Sequence, residues 1–368
     1  MLRVSLQDVL PGMKTGQNIY SVDGQFLLAA GTILTVPHIE SLHKWEVPFV
    51  YADLGFLPAG TIQPVISPLT REKVVRELEN FLVRSRHSSH LARTRQMEES
   101  VVNLVDDILR NQSRLVNLAE MRQYDDYLLA HSLGVGLLSV ITGVNLGWTR
   151  EKLLQLGVAA LLHDVGKVRV PRGILLKPGP LDRREWLEVQ KHPLYALDIL
   201  EEEPAIMEAA SQHHENLDGS GYPYGLHNGA IGEFARVIAI ADQYDAMTTD
   251  RVYRRAVPVN EVLELIYASG GSRFELQFVR SFIQSITAYP VGSVVELNDQ
   301  SVGVVMENFP GLPLYPRVRI LQEADRRPAL RPQEIELGEH SMVIARLLNP
   351  EESFALSWRL QRAGYQAD

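Results

Sequence analysis

The sequence predicts a mainly α protein: a helical bundle flanked by a small N-terminal α/β module and a small C-terminal β unit. Three observations lead there. Helical periodicity of the apolar residues runs from about Thr70 to about Ile286. Before it, short β-like runs alternate with turn signals, and after Tyr289-Pro290 strand-like runs return. These changes of pattern divide the chain into an α/β module at 1–66, a helical linker at 67–100, a helical domain at 101–288 and a β-rich extension at 289–368.

In order along the chain, the strand and turn signals are Leu10-Pro11-Gly12-Met13, Asp23 to Leu28, Gly31 to Leu34, and Val47 to Tyr51. One helix, Val36 to Lys44, interrupts them with Ile39 and Leu42 on its apolar side. Gly60, Pro64 and Pro68 mark a linker. In the helical block Val101, Val102, Val105, Ile108 and Leu109 share one face, with Asp106, Asp107 and Arg110 opposite, as in a helix packed on a core. A helix from Thr70 to about Gln112 also offers Leu78, Phe81, Leu82, Val101, Val105 and Ile108 as a homodimer seam, although burial within one chain is the favoured use. Ser293 to Leu297, Val302 to Met306 and Pro316 to Leu321 read as strands, separated by Asn298-Asp299 and Pro310-Gly311 turns. No internal repeat or low-complexity tract is visible.

Composition narrows the function. At 368 residues and 45% hydrophobic content the chain is long enough for two or three domains with a sizeable core. A formal charge of -9 provides no basic field for duplex nucleic acid, so a phosphate-bearing ligand must meet a local Arg and Lys cluster. With no cysteine, His and carboxylate are the only strong metal ligands, which favours hard or borderline metals. No apolar run is read as long enough to cross a bilayer, and Met1 to Tyr20 lacks a charged segment followed by an apolar block. The expectation is a cytoplasmic protein without a membrane segment.

The chemistry concentrates in a few places. His213-His214-Glu215-Asn216-Leu217-Asp218-Gly219-Ser220-Gly221-Tyr222-Pro223 puts adjacent imidazoles, carboxylates and a Gly-Tyr-Pro turn into eleven residues. Fifty residues earlier, His163-Asp164 ends an apolar helix, where both side chains can bend toward one ion and the carboxylate can reach a second. Lys167 lies one turn beyond, placed to meet a phosphate oxygen. His131 stands on an apolar helix and His192 precedes Pro193; singly, a buried core histidine and a surface cap are the plainer readings. Asp242, within Ile238 to Met247, would be costly to bury unpaired, and a cation would offset that cost. Together these are five histidines and two aspartates on successive helices, a set suited to two octahedral metals sharing Asp164. Two metals about 3.5–4 Å apart can hold a bridging hydroxide and neutralise a phosphodiester oxygen. Arg251 and Arg254 follow Asp242 and offer phosphate-binding forks.

From about Val102 through Ile286 the chain resembles the HD-GYP branch of the HD metal-dependent phosphohydrolase superfamily. The motifs run in order: Asp125 to Ser132, Leu161 to Lys167, Leu176 to Leu181, Lys191-His192-Pro193, His213 to Pro223, and Ala241-Asp242 to Arg251. The resemblance implies a phosphodiesterase that converts cyclic di-GMP to pGpG, or to GMP after a second cleavage. The first metal would take His131, His163, Asp164 and Asp242, and the second Asp164, His192, His213 and His214. Asp164 and Lys167 would be catalytic; Lys167, Gly221, Tyr222, Pro223, Arg251 and Arg254 would meet the substrate. The implied cofactors are two divalent ions, iron or manganese. Implied protein partners are a diguanylate cyclase or other signalling proteins, reached through the Gly-Tyr-Pro loop. Members with a third metal carry Glu where this chain has Tyr127, so two ions are expected. The alternatives are a cyclic-dinucleotide-binding regulatory module with little turnover, and an HD hydrolase of another nucleotide.

Overall fold

The computed structural model describes residues 2–21, 26–45, 47, 49–57, 65–87, 95–111, 127–200, 204–249, 256–339 and 341–363. In chain order the elements are β1 (Leu2–Ser5), β2 (Lys14–Thr15), β3 (Ile19–Tyr20), β4 (Phe26–Leu28), α1 (Val36–Lys44) and β5 (Phe49–Asp53). Helices follow: α2 (Pro68–His87), α3 (Arg95–Arg110), α4 (Tyr127–Asn145), α5 (Arg150–Leu162), α6 (Arg172–Leu175), α7 (Arg183–Val189), α8 (His192–Leu197), α9 (Pro204–Gln212), α10 (Glu233–Thr248), α11 (Val259–Ala268) and α12 (Leu276–Ile283). The chain then forms β6 (Val294–Leu297), β7 (Val302–Phe309), β8 (Leu312–Gln322), β9 (Pro328–Glu336), β10 (Ile344–Leu347) and α13 (Pro350–Arg362). The architecture is mainly α with a small N-terminal sheet and a C-terminal antiparallel sheet, as the sequence predicts.

Two compact units result: 64–286 forms one, and 1–63 joins 287–368 in the other. In the mixed unit, β1, β5 and β2 make an antiparallel sheet in the order β1-β5-β2, and a five-stranded antiparallel sheet runs β10-β6-β7-β8-β9. Leu54, Phe56 and Leu57 pack with Val294, Val304 and Leu321 of that larger sheet, and Leu356 and Leu360 of α13 complete the cluster. Phe354 packs against both this cluster and the N-terminal core around Val4, Leu42 and Val50. The closing helix is a departure from the β-rich ending expected. Its start is built by a capping box, in which Asn349 accepts from the Glu352 backbone and Pro350 opens the first turn.

The helical unit is built around α4, which packs against α5 and α10. Contrary to the sequence reading, α4 contains an 18-residue stretch, Leu128–Asn145, long and apolar enough to cross a membrane; 78% of it is buried inside the fold. Its apolar character on all sides is that of a core helix. Leu78, Phe81, Leu82, Val101, Val105 and Ile108 are all buried within the chain, so the seam considered for a homodimer is used in packing α2 and α3.

Candidate metal centre

Each candidate side chain is delivered by the end or the inner face of a helix. His131 lies on α4, His163 caps the C-terminus of α5, and Asp164 begins the 3-10 turn Val165–Arg169. His192 is the first residue of α8, His213 and His214 follow α9, and Asp242 sits on α10. Gly166 allows the turn after Asp164 to lie against α8: a Cβ there would stand 1.9 Å from the His192 carbonyl oxygen.

The two oxygens of Asp164 face different partners. Oδ2 lies 3.4 Å from His163 Nε2 and 3.6 Å from His131 Nε2. Oδ1 lies 3.1 Å from His192 Nε2 and 3.7 Å from His213 Nε2. Asp242 Oδ1 is 3.0 Å from His131 Nε2 and 3.9 Å from His163 Nε2, while its Oδ2 is 3.6 Å from His214 Nδ1. Two overlapping groups thus converge on Asp164: His131 and His163 on one side, and His192, His213 and His214 on the other.

Hydrogen bonds fix which nitrogen faces inward. Nδ1 of His163, His192 and His213 lies 2.7, 2.7 and 2.8 Å from the carbonyl oxygens of Ala160, Val189 and Ala210. A carbonyl only accepts, so each Nδ1 carries the proton and each Nε2 presents a lone pair to the cluster. For His131 the outer partner is a carboxylate, Asp245 Oδ2, at 2.7 Å from Nδ1. Nε2 of His163 and Oδ1 of Asp164 are buried without a hydrogen-bond partner among the described residues. Buried lone pairs of this kind, supplied by imidazole and carboxylate alone, fit divalent cations.

The electrostatics agree with that donor set. Burial acts to raise the carboxyl of Asp164, but the nearby Lys167 and His163 outweigh it and hold it well below its usual value. Asp242 is likewise held well below, burial being overcome by His131 and His214. Burial pulls His131 down, yet hydrogen bonds and charge from Asp242 and Asp245 raise it to about 9. Burial lowers His213 to about 4 and pushes His214 well below its usual value. Both carboxylates are therefore anionic, and the His213 and His214 side chains neutral, at neutral pH.

The Lys167 ammonium pairs with Asp164 Oδ2. Tyr222 stacks on His214 with ring centroids 4.6 Å apart and an interplanar angle of 26°. Gly221, Tyr222 and Pro223 are all partly buried. Burial, with the charges of Asp242 and Asp164, raises the Tyr222 phenol. Arg251 and Arg254 lie outside the described residues, as do Asp125 and the side chain of Tyr127.

Sequence reasoning gave no role to two residues that organise the site. Asp245, which orients His131, was visible only as a carboxylate three residues after Asp242 on an apolar helix. Glu215 is buried, and its Oε1 accepts from the backbone N–H of Tyr224 and Gly225 at 2.7 and 3.2 Å while Oε2 accepts from Leu226 at 2.9 Å. Its signal was its place inside the His-His-Glu run, immediately before a turn whose amides need acceptors.

Residues 96–277 match the HD domain family, and residues 294–356 match the KOW domain associated with HD domain. A cyclic di-GMP phosphodiesterase of Pseudomonas aeruginosa is 34% identical over 64% of this chain and 59% of its own length. The 3'3'-cGAMP-specific phosphodiesterase 1 of Vibrio cholerae is 36% identical over 44% of this chain and 38% of its own. The cyclic di-GMP phosphodiesterase response regulator RpfG of Xanthomonas campestris is 30% identical over 62% of each. The chain thus spans less than two thirds of these curated relatives. With its His163-Asp164 pair in place, the stretch 96–277 is an HD domain.

Proposed function

We propose that the protein is a two-metal phosphodiesterase that hydrolyses cyclic di-GMP to pGpG, a second cleavage to GMP being slow or absent. The observation that carries this reading is the divided coordination of Asp164, one oxygen toward His131 and His163 and the other toward His192 and His213. On this reading His131, His163, Asp164 and Asp242 hold one ion, and Asp164, His192, His213 and His214 the other. Iron or manganese suits this mixture of imidazole and carboxylate. Two such ions supply water activation and charge neutralisation at a phosphodiester.

The chain's own residues do the rest. Lys167 is positioned beside Asp164 to meet a phosphate oxygen, and Gly221, Tyr222 and Pro223 line the approach. Arg251 and Arg254 supply further phosphate contacts. Asp245 keeps His131 Nε2 turned inward. A cytoplasmic location accords with a nucleotide second messenger as substrate.

The similarity to a 3'3'-cGAMP-specific enzyme favours a second substrate for comparison. Purified protein incubated anaerobically with Mn²⁺ or Fe²⁺ should hydrolyse cyclic di-GMP faster than 3'3'-cGAMP, and simple nucleoside monophosphates not at all. Faster turnover of 3'3'-cGAMP would change the substrate while keeping the centre. Binding of cyclic di-GMP without cleavage would favour a regulatory module.

A further inference from the structure

His214 differs from the other four histidines in how it is held. His163, His192 and His213 are each fixed by a backbone carbonyl, and His131 by Asp245. No comparable hydrogen bond holds the His214 ring among the described residues; its nearest carboxylate oxygen, on Asp242, is 3.6 Å from Nδ1. The ring instead lies among three others, His192 meeting it edge-on with centroids 5.1 Å apart and 87° between planes. His213 is on one contact, with centroids 4.0 Å apart and 45° between planes, and Tyr222 makes the flatter stack at 4.6 Å and 26°.

Tyr222 is itself fixed to this place by the loop. Its backbone N–H donates to the His214 carbonyl oxygen at 3.2 Å, and Glu215 gathers the three amides that follow Pro223. Gly221 makes the fold-back possible, since a Cβ there would stand 2.4 Å from Glu215 Cα and 2.5 Å from the His214 carbonyl oxygen. The loop therefore returns tightly over the residue whose ring it covers.

We infer that Tyr222 is a positioning residue for His214: its ring does by stacking what carbonyls do for the other histidines, so the second metal position is complete only while the Gly-Tyr-Pro loop is closed. This inference rests on the two-metal reading of the site. It makes the loop a control point, because a ligand that draws Tyr222 away loosens one ligand of the second ion and leaves the first ion's ligands untouched. Outer partners of metal-binding histidines are worth about 10- to 100-fold in metal affinity.

The test is stepwise Mn²⁺ binding, followed by calorimetry and by electron paramagnetic resonance, on wild type, Tyr222→Phe and Tyr222→Ala. Circular dichroism and the thermal midpoint of the metal-free proteins report whether the fold is retained. Wild type is expected to bind two ions. Tyr222→Ala should keep the first at wild-type affinity and weaken the second about 10- to 100-fold. Tyr222→Phe, which keeps the ring, should restore the second site to within about threefold. Two ions bound by Tyr222→Ala as tightly as by wild type would overturn the inference and leave the two-metal reading intact. A wild-type protein that binds fewer than two ions would remove that reading and the inference with it.

Discussion

Asp245 Oδ2 stands 2.7 Å from Nδ1 of His131, and the helix opposite is shaped to let it approach. Gly134 lies one turn beyond His131 on α4, and a Cβ there would come within 2.7 Å of Asp245 Oδ1. The carboxylate holds the imidazole with its Nε2 directed at Asp164 and Asp242. Replacing Asp245 with Ala should lower affinity for the first ion about 10- to 100-fold. Competition with a chromogenic chelator measures this directly; an unchanged dissociation constant would show that His131 needs no such support.

Gly166 makes a different kind of demand. Any side chain there meets the backbone of α8 at His192, with the carbonyl oxygen 1.9 Å and the Ala196 nitrogen 2.7 Å from the added carbon. Backbone cannot rotate aside as a side chain can. Gly166→Ala should therefore destabilise the helical unit by about 1–3 kcal/mol and shift His192 away from Asp164. Urea denaturation monitors the first effect and metal content the second.

The Glu215 carboxylate is the acceptor for three consecutive loop amides, those of Tyr224, Gly225 and Leu226. Removing it leaves those N–H groups competing for water around a partly buried loop. Glu215→Ala is expected to cost about 2–3 kcal/mol. Hydrogen exchange at residues 224–226 should accelerate in the variant while the amides of α4 and α10 keep their protection. Equal exchange in both proteins would mean that the loop has another anchor.

Asp107 gives a pH-dependent contribution to stability. It accepts from Ser67 N at 3.0 Å and Thr70 Oγ1 at 2.6 Å, closing the start of α2 against the end of α3. Burial acts to raise its carboxyl, but the bonds from Thr70 and Ser67, with Arg110, hold it below the usual 3.8. A group whose folded value is depressed stabilises the fold fully above its unfolded value, and loses that contribution as pH falls through the folded one. Asp107→Asn should thus cost about 1–2 kcal/mol at pH 7, with the gap to wild type closing below pH 3.8. Denaturation midpoints at pH 7, 5 and 3 check the sign.

Much of this was legible in the sequence because the signals are local. The helix Val36–Lys44 is legible to the residue because the Ile39 and Leu42 spacing acts within one stretch, and the structure adds the Thr35 cap that starts it. The strands β6 and β7 announced themselves through alternation and turn residues, although β7 extends to Phe309. The seven metal-ligand candidates are conspicuous in the sequence as imidazoles and carboxylates on apolar helices, and the structure gathers them about Asp164 and Asp242. What the sequence left hidden depends on distance along the chain. Ser357 Oγ donates to the Leu54 carbonyl oxygen at 2.6 Å across 303 residues, and no local pattern announces that the two ends of the chain share one core. Asp245 was overlooked for a related reason: its partner is 114 residues away on another helix.

Metal content and product measured in the same sample test the two-metal phosphodiesterase most directly. Anaerobically prepared Mn²⁺-loaded wild type and His163→Ala/Asp164→Ala protein are assayed for ions per chain, then given cyclic di-GMP, with nucleotides separated by chromatography. Wild type should carry two ions per chain and release pGpG, and the double variant should do neither. Two ions bound with cyclic di-GMP left intact, or equal pGpG release by the double variant, would contradict that reading.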